Sequence, residues 1–190
     1  MRNSLFIAIR YTLVTTILLG FVYPLVITAI AQLTMSDKAN GQLIVRNGQV
    51  IGSAIIGQNF STDQYFHGRP SAAGNGYDAA NSGGSNLAQS NSALLDRINA
   101  TVATYQEQNP GKAVPIDLVS TSASGIDPDV SPAAALYQVS SVAAARHLSD
   151  ETVRNLVQAH IQGRQFGVLG EPRVNVLKLN LDLDGLSSQK

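Results

Sequence analysis

Residues 11–36 read YTLVTTILLGFVYPLVITAIAQLTMS, and no charged side chain interrupts them. The apolar centre runs from Leu13 to Leu33. A bilayer core about 30 Å thick needs about 20 helical residues, so the stretch is long enough to span one. Arg2 and Arg10 precede it, and all thirteen acidic residues of the chain lie at Asp37 or beyond. Basic residues near a span favour the cytoplasmic side. The expectation is a cytoplasmic tail over residues 1–10, a transmembrane helix over 11–34 and an outer domain over 37–190. A cleaved signal peptide is the rival, because Ala29-Ile30-Ala31 resembles a small-x-small cleavage site. Signal-peptide apolar cores run roughly 7–15 residues; this one is longer, which favours a retained single-pass anchor.

Gly20 and Pro24 lie inside the span. Both are common in transmembrane helices. They read either as a tolerated kink or as a face where a partner helix approaches closely.

Outward from the span, the remaining residues are enough for one domain with a real core. The chain has thirteen basic and thirteen acidic residues and no basic block, so nothing points to nucleic acid. It has no cysteine, which removes disulfides, thiolate metal sites and a cysteine nucleophile. Asn47-Gly48 between Gln42–Arg46 and Gln49–Gly52 predicts a hairpin with a type I′ turn. Residues 67–86, rich in Gly, Ser, Asn and Ala, predict a long loop. Ser85 to Gln108 reads as a helix with Leu87, Leu94, Leu95, Ile98, Val102 and Tyr105 on one face. Ser131-Pro132 starts another as N-cap and first residue. A further one follows Ser149 and ends at Gly163. Leu177, Leu179, Leu181 and Leu183 alternate with polar residues and predict a closing strand. Helices and strands are segregated, so the fold class is α+β.

Motifs for chemistry are sparse. There is no phosphate-binding G-x-x-x-x-G-K-[ST] and no G-x-S-x-G elbow. His67, His147 and His160 lack zinc spacing, and His160 reads as a satisfied core residue. Ser82-Gly83-Gly84-Ser85-Asn86 reads as an anion-binding turn or, more simply, as a helix N-cap.

A set of short motifs runs the length of the chain. They include Tyr23-Pro24-Leu25, Gly57-Gln58-Asn59-Phe60, Tyr65-Phe66-His67-Gly68-Arg69-Pro70-Ser71-Ala72 and Ser82-Gly83-Gly84-Ser85-Asn86-Leu87. Then come Asp117-Leu118-Val119, Ser122-Ala123-Ser124-Gly125-Ile126-Asp127-Pro128, Gln138-Val139 with Ala145-Arg146, and Gly170-Glu171-Pro172-Arg173-Val174-Asn175-Val176-Leu177. With these the chain resembles the C subunit of the Kdp-type potassium-transporting ATPase, the KdpC family. The resemblance implies a non-catalytic subunit of an inner-membrane potassium pump. Its partners would be the potassium-binding subunit KdpA, the ATP-hydrolysing subunit KdpB and the small KdpF, with membrane lipid around the span. ATP and potassium would be handled by the complex. The family is also described as a catalytic chaperone that raises the ATP affinity of KdpB, and this implies an ATP contact at Gln138.

The charge rule reads differently. It puts Gln138 on the outer face, away from cytoplasmic ATP. An effect on the pump would then travel through the membrane helix, or by capping the outer entrance to KdpA. Gly20, Tyr23, Pro24, Tyr65, Phe66, Arg69 and Tyr77 form the expected partner interface, since tyrosine and arginine are enriched at interface hot spots. For Arg69 the competing expectation is a salt bridge inside its own domain. The alternative of another class is an independent, membrane-tethered binding module.

Overall fold

The computed structural model describes residues 2–187. It contains two compact units, one running to Ile51 and the other starting at Gly52.

The first unit is a long helix followed by the start of a hairpin. Helix α1 spans Arg2–Ile17 and α2 spans Tyr23–Ala39, joined by a π-helical turn over Leu18–Val22. Pro24 explains the turn. It has no N–H to give the carbonyl of Gly20, and its ring crowds that carbonyl. The helix widens by one residue, and the Tyr23 N–H reaches back to the Leu18 carbonyl instead. The expected kink is therefore a π-bulge. Met35 interrupts the regular helix a second time with φ −150°. Asn3–Ala39 is, among the described residues, the one helix long and apolar enough to cross a membrane. Strands β1 (Leu43–Arg46) and β2 (Gln49–Ser53) follow, with Asn47 and Gly48 at φ 53° and 78° as a type I′ turn requires.

The second unit mixes helices with a small sheet. Helix α3 covers Ser92–Gln108. Strand β3 is Asp129–Val130, then come α4 (Pro132–Tyr137), α5 (Val139–Arg146), α6 (Asp150–Ala159), β4 (Ile161–Gln162), β5 (Arg173–Asn175) and α7 (Val176–Ser187). The sheet is antiparallel in the order β3-β5-β4, with Val174 opposite both Val130 and Ile161. Ser131 and Ser149 cap their helices, each accepting from the backbone N–H three residues on. The core gathers Phe66, Leu118, Val139, Val142, Val153, Val157, Val174, Leu179 and Leu183. Helix α6 packs against both α5 and α7.

Three expectations need correction. The closing strand is a helix: β5 ends at Asn175, and the four leucines lie on α7. Asn175 caps that helix, its Oδ1 accepting from the Lys178 N–H at 3.1 Å. Leucine is a good helix former and is not β-branched, so period two alone does not hold it extended. The buried set is Val176, Leu177, Leu179, Asn180 and Leu183; Val176, Leu179, Asn180 and Leu183 form a helical stripe that leaves Leu181 at its edge. Second, α3 starts at Ser92 and not at Ser85, with Asn91 as its cap. Its expected stripe is only partly packed: Leu95 is 50% exposed, whereas Tyr105 meets Tyr137 edge-on and its carbonyl accepts from the Tyr137 hydroxyl at 2.9 Å. Third, the helix after Ser149 does not run to Gly163: α6 ends at Ala159, and Ile161–Gln162 is strand β4.

Candidate functional site

The segment 65–86 is held from both sides by side chains that mimic a sheet. The Phe66 N–H donates to Asn180 Oδ1 at 2.9 Å, and Asn180 Nδ2 donates to the Phe66 carbonyl at 2.9 Å. One residue on, the His67 N–H donates to Gln138 Oε1 at 2.8 Å, and Gln138 Nε2 donates to the His67 carbonyl at 3.1 Å. Two amide side chains thus grip two consecutive residues as a neighbouring strand would. Gln138 also donates to the Ala134 carbonyl at 3.2 Å. Both amides are buried. Both amide protons of Gln138 are engaged, and a buried amide of this kind is a fold-holding group.

Tyr65 is sandwiched. Its ring lies 5.3 Å from Phe60, with the Arg146 guanidinium 4.6 Å above it. Arg146 in turn pairs with Asp184 at 2.8 Å and donates to the Gln64 carbonyl at 2.6 Å. Phe66 has no exposed surface at all and sits in the core. The expectation that Phe66 faces a partner is therefore wrong for this fold. An aromatic ring among glycines and serines gains more by anchoring the loop inward.

Arg69 takes the internal pairing. Its guanidinium meets Asp127 at 3.4 Å and donates to the Ser120 and Thr121 carbonyls and to Ser120 Oγ. Tyr77 closes the loop over it. The Tyr77 hydroxyl donates to the Arg69 carbonyl, and its N–H donates to Ser71 Oγ at 2.7 Å. Tyr77 sits at φ 57°, unusual for a bulky residue. Burial pushes its phenol up to about 12, with the Asp127 charge adding to it. The ring explains two motif glycines. A Cβ on Gly57 would lie 2.5 Å from the Asp127 carbonyl oxygen and 2.7 Å from the Tyr77 ring, and one on Gly68 would strike the Tyr77 hydroxyl.

The Ser82-Gly83-Gly84 stretch is not a helix cap, since α3 starts at Ser92 with Asn91 as its cap. It runs against the backbone of Ser122 to Gly125: the Gly83 N–H donates to the Ser124 carbonyl at 2.8 Å, and Ser82 Oγ donates to the same oxygen at 2.9 Å. A Cβ on Gly84 would come 3.2 Å from the Ala123 carbonyl. Asn86 takes a left-handed φ of 52° as the chain leaves this contact.

The remaining motif residues meet at a cleft of about 420 Å³, lined by Arg69, Asp117, Asp127, Asp129, Ser131, Glu171 and Arg173. Its charges are matched in place. Arg173 pairs with Asp129 at 3.0 Å, and Glu171 takes Arg164 at 2.7 Å. Asp117 accepts from the Ser131 N–H at 2.8 Å. Asn175 Nδ2 bridges Asp129 and the Ala54 carbonyl. Burial lifts the Asp129 carboxyl above its usual range, while Asn175 and Arg173 oppose the shift. No group of three metal-ligating side chains occurs among the described residues. The cleft thus joins the motif residues Asp127, Glu171 and Arg173 to Arg69, and Asn175 supports it through Asp129. It does not join them to Gln138, which lies in the clamp. His160 is satisfied as expected, between the Leu156 carbonyl and Asp182 at 2.9 Å each. Sequence reasoning missed Asn180, which carries no motif signal of its own.

Comparison with known proteins agrees with this distribution of motifs along the whole chain. The family described as KdpC: K+-transporting ATPase, c chain, matches residues 5–185. A potassium-transporting ATPase KdpC subunit of Koribacter versatilis is 57% identical, over 97% of this chain and 96% of that protein. Its counterpart in Acidobacterium capsulatum is 56% identical, over 96% and 98%. That of Methylobacterium nodulans is 48% identical, over 100% and 98%.

Proposed function

We propose that this chain, which belongs to the KdpC family of potassium-transporting ATPase c chains, is the non-catalytic accessory subunit of an ATP-driven potassium uptake complex. The observation that carries the reading is the family match from the membrane helix to α7. The geometry adds a reason for a supporting role. The motif side chains Arg69, Tyr77, Asp127, Gln138, Arg173 and Asn175 are engaged with their own domain. A general acid or base needs a group free to reach a reacting atom.

The partners in this reading are the potassium-binding subunit KdpA, the ATP-hydrolysing subunit KdpB and KdpF. The chain is anchored in the inner membrane with its N-terminus in the cytoplasm and residues 37–190 outside. Arg2 and Arg10 before the span support that orientation. Any effect on ATP use is then indirect. Gln138 is the residue to which the family's chaperone account points. Here it holds His67, and an amide so engaged cannot turn to a nucleotide without releasing the loop.

The test is purification of the tagged full chain from native membranes in mild detergent. The expected result is co-purification with large membrane subunits, one of them bearing a nucleotide-hydrolysing domain. A chain that extracts alone would instead support the independent module.

A further inference from the structure

The chain turns back where its apolar helix ends. Met35 leaves the helical conformation at φ −150° and ψ 51°. In an unbroken helix Gln32 and Asn40 would lie about 12 Å apart along the axis. Here Gln32 Nε2 donates to Asn40 Oδ1 at 3.0 Å, and Asn40 Nδ2 donates to Gln32 Oε1 at 3.4 Å. A Schellman pair then fixes the exit. The Gln42 N–H donates to the Asp37 carbonyl at 2.9 Å and the Gly41 N–H to the Lys38 carbonyl at 3.2 Å, with Gly41 at φ 83°. Strand β1 begins at the next residue, Leu43.

These contacts set a depth. The helix from Leu13 to Leu33 is about 31 Å long, enough to fill a hydrocarbon core of about 30 Å. Gln32 then sits at the lipid boundary, and Asn40 is held within reach of its side chain. The β1–β2 hairpin therefore starts at headgroup depth and not clear of the bilayer. Alternation on either side of the Asn47-Gly48 turn puts Leu43, Val45 and Val50 on one face. They are 51%, 59% and 59% exposed. A two-stranded hairpin is marginal in water by itself. Lys38 precedes it and Arg46 stands at its turn, neither in an ion pair among the described residues. Asp37 is the one acid before Asp63. Free cations beside an apolar face match an anionic lipid surface in both respects.

We propose that the β1–β2 hairpin is a foot seated in the bilayer surface where the span ends. Leu43, Val45 and Val50 enter the boundary between headgroups and acyl chains, and Lys38 and Arg46 meet anionic phosphate headgroups. The inference rests on the reading of the long helix as a membrane span. Burying the three side chains in lipid supplies the apolar contact that two strands alone lack.

The chain has no cysteine, so single cysteines can carry a nitroxide. The full chain, extracted with the pump subunits that stay with it, is reconstituted in vesicles of equal parts phosphatidylcholine and phosphatidylglycerol. Spin-label saturation with oxygen and with a water-soluble nickel chelate reads depth at Val45→Cys, Val50→Cys, Gln49→Cys and Val26→Cys. Val45 and Val50 are expected about 5–10 Å inside the boundary, and Gln49, on the opposite face, in reach of the nickel chelate. Val45 and Val50 labels open to nickel overturn the inference. So do labels shielded from both reagents, which mark a protein cover. A Val26 label away from the bilayer centre refutes the span and the foot with it. Val26 deep with Val45 in water refutes the foot alone. In Lys38→Gln and Arg46→Gln the preference of the retained lipid for phosphatidylglycerol should fall about fivefold for each cation removed. An unchanged preference in both overturns the headgroup contact.

Discussion

Replacing Asn180 with alanine should destabilise the second unit by about 2–5 kcal/mol, because two buried backbone groups lose their partners at once and each costs about 1–3 kcal/mol. Those groups are the N–H and the carbonyl of Phe66, each now 2.9 Å from the Asn180 amide. Water cannot replace the amide where Asn180 is 1% exposed. The melting temperature of the full chain in detergent should fall by roughly 5–15 °C. Asn180→Asp should do no better at neutral pH. Its carboxylate could accept from the Phe66 N–H but would face the Phe66 carbonyl with no proton to offer, and it would bury a charge. Gln138→Ala combined with Asn180→Ala should cost less than the sum of the single losses, since both hold the same two-residue segment. A fall of only a few tenths of a kcal/mol for Asn180→Ala would show that the clamp is not what fixes the loop.

Phe66→Ala should cost about 3–5 kcal/mol, the usual range for removing a buried aromatic ring. The ring is fully enclosed by the core that also holds Leu118, Leu179 and Leu183. Phe66→Leu keeps most of the apolar volume and should cost under about 1.5 kcal/mol. Thermal unfolding of the full chain in detergent measures both. If Phe66 served a partner and not the core, Phe66→Ala would leave the melting temperature in place and weaken assembly alone. Together the two variants separate the side chain of Phe66 from its backbone, the first testing the clamp and the second the packing.

The sequence shows some parts of this fold plainly and hides others for physical reasons. The long apolar helix is legible because length and the absence of charge are one-dimensional properties. The hairpin is legible because only residues tolerant of positive φ, here Asn47 and Gly48, suit a type I′ turn. The serine caps at Ser131 and Ser149 are local for the same reason. The last helix is not legible from its leucines, which repeat with period two and mimic a strand. The decisive signal lies in Asn175 as a cap and in the stripe from Val176 through Leu179 and Asn180 to Leu183. That stripe is disguised because one of its buried members is an asparagine. The site behaves similarly. The motifs mark which residues matter, but the partner of Phe66 lies 114 positions away and that of His67 71. Pairings of that range leave no local pattern. An exposed loop rich in glycine and serine therefore reads as a surface, although Tyr77, Arg69 and Phe66 turn inward and tie it down.

The central claim is that this subunit supports its pump from outside the nucleotide chemistry, with Gln138 holding the fold. Calorimetric titration of ATP into the full chain in detergent tests it most directly. The account predicts heats of dilution only, at chain concentrations where millimolar affinity would register. A saturable one-site isotherm, lost in Gln138→Ala under conditions where that variant remains folded, would contradict it.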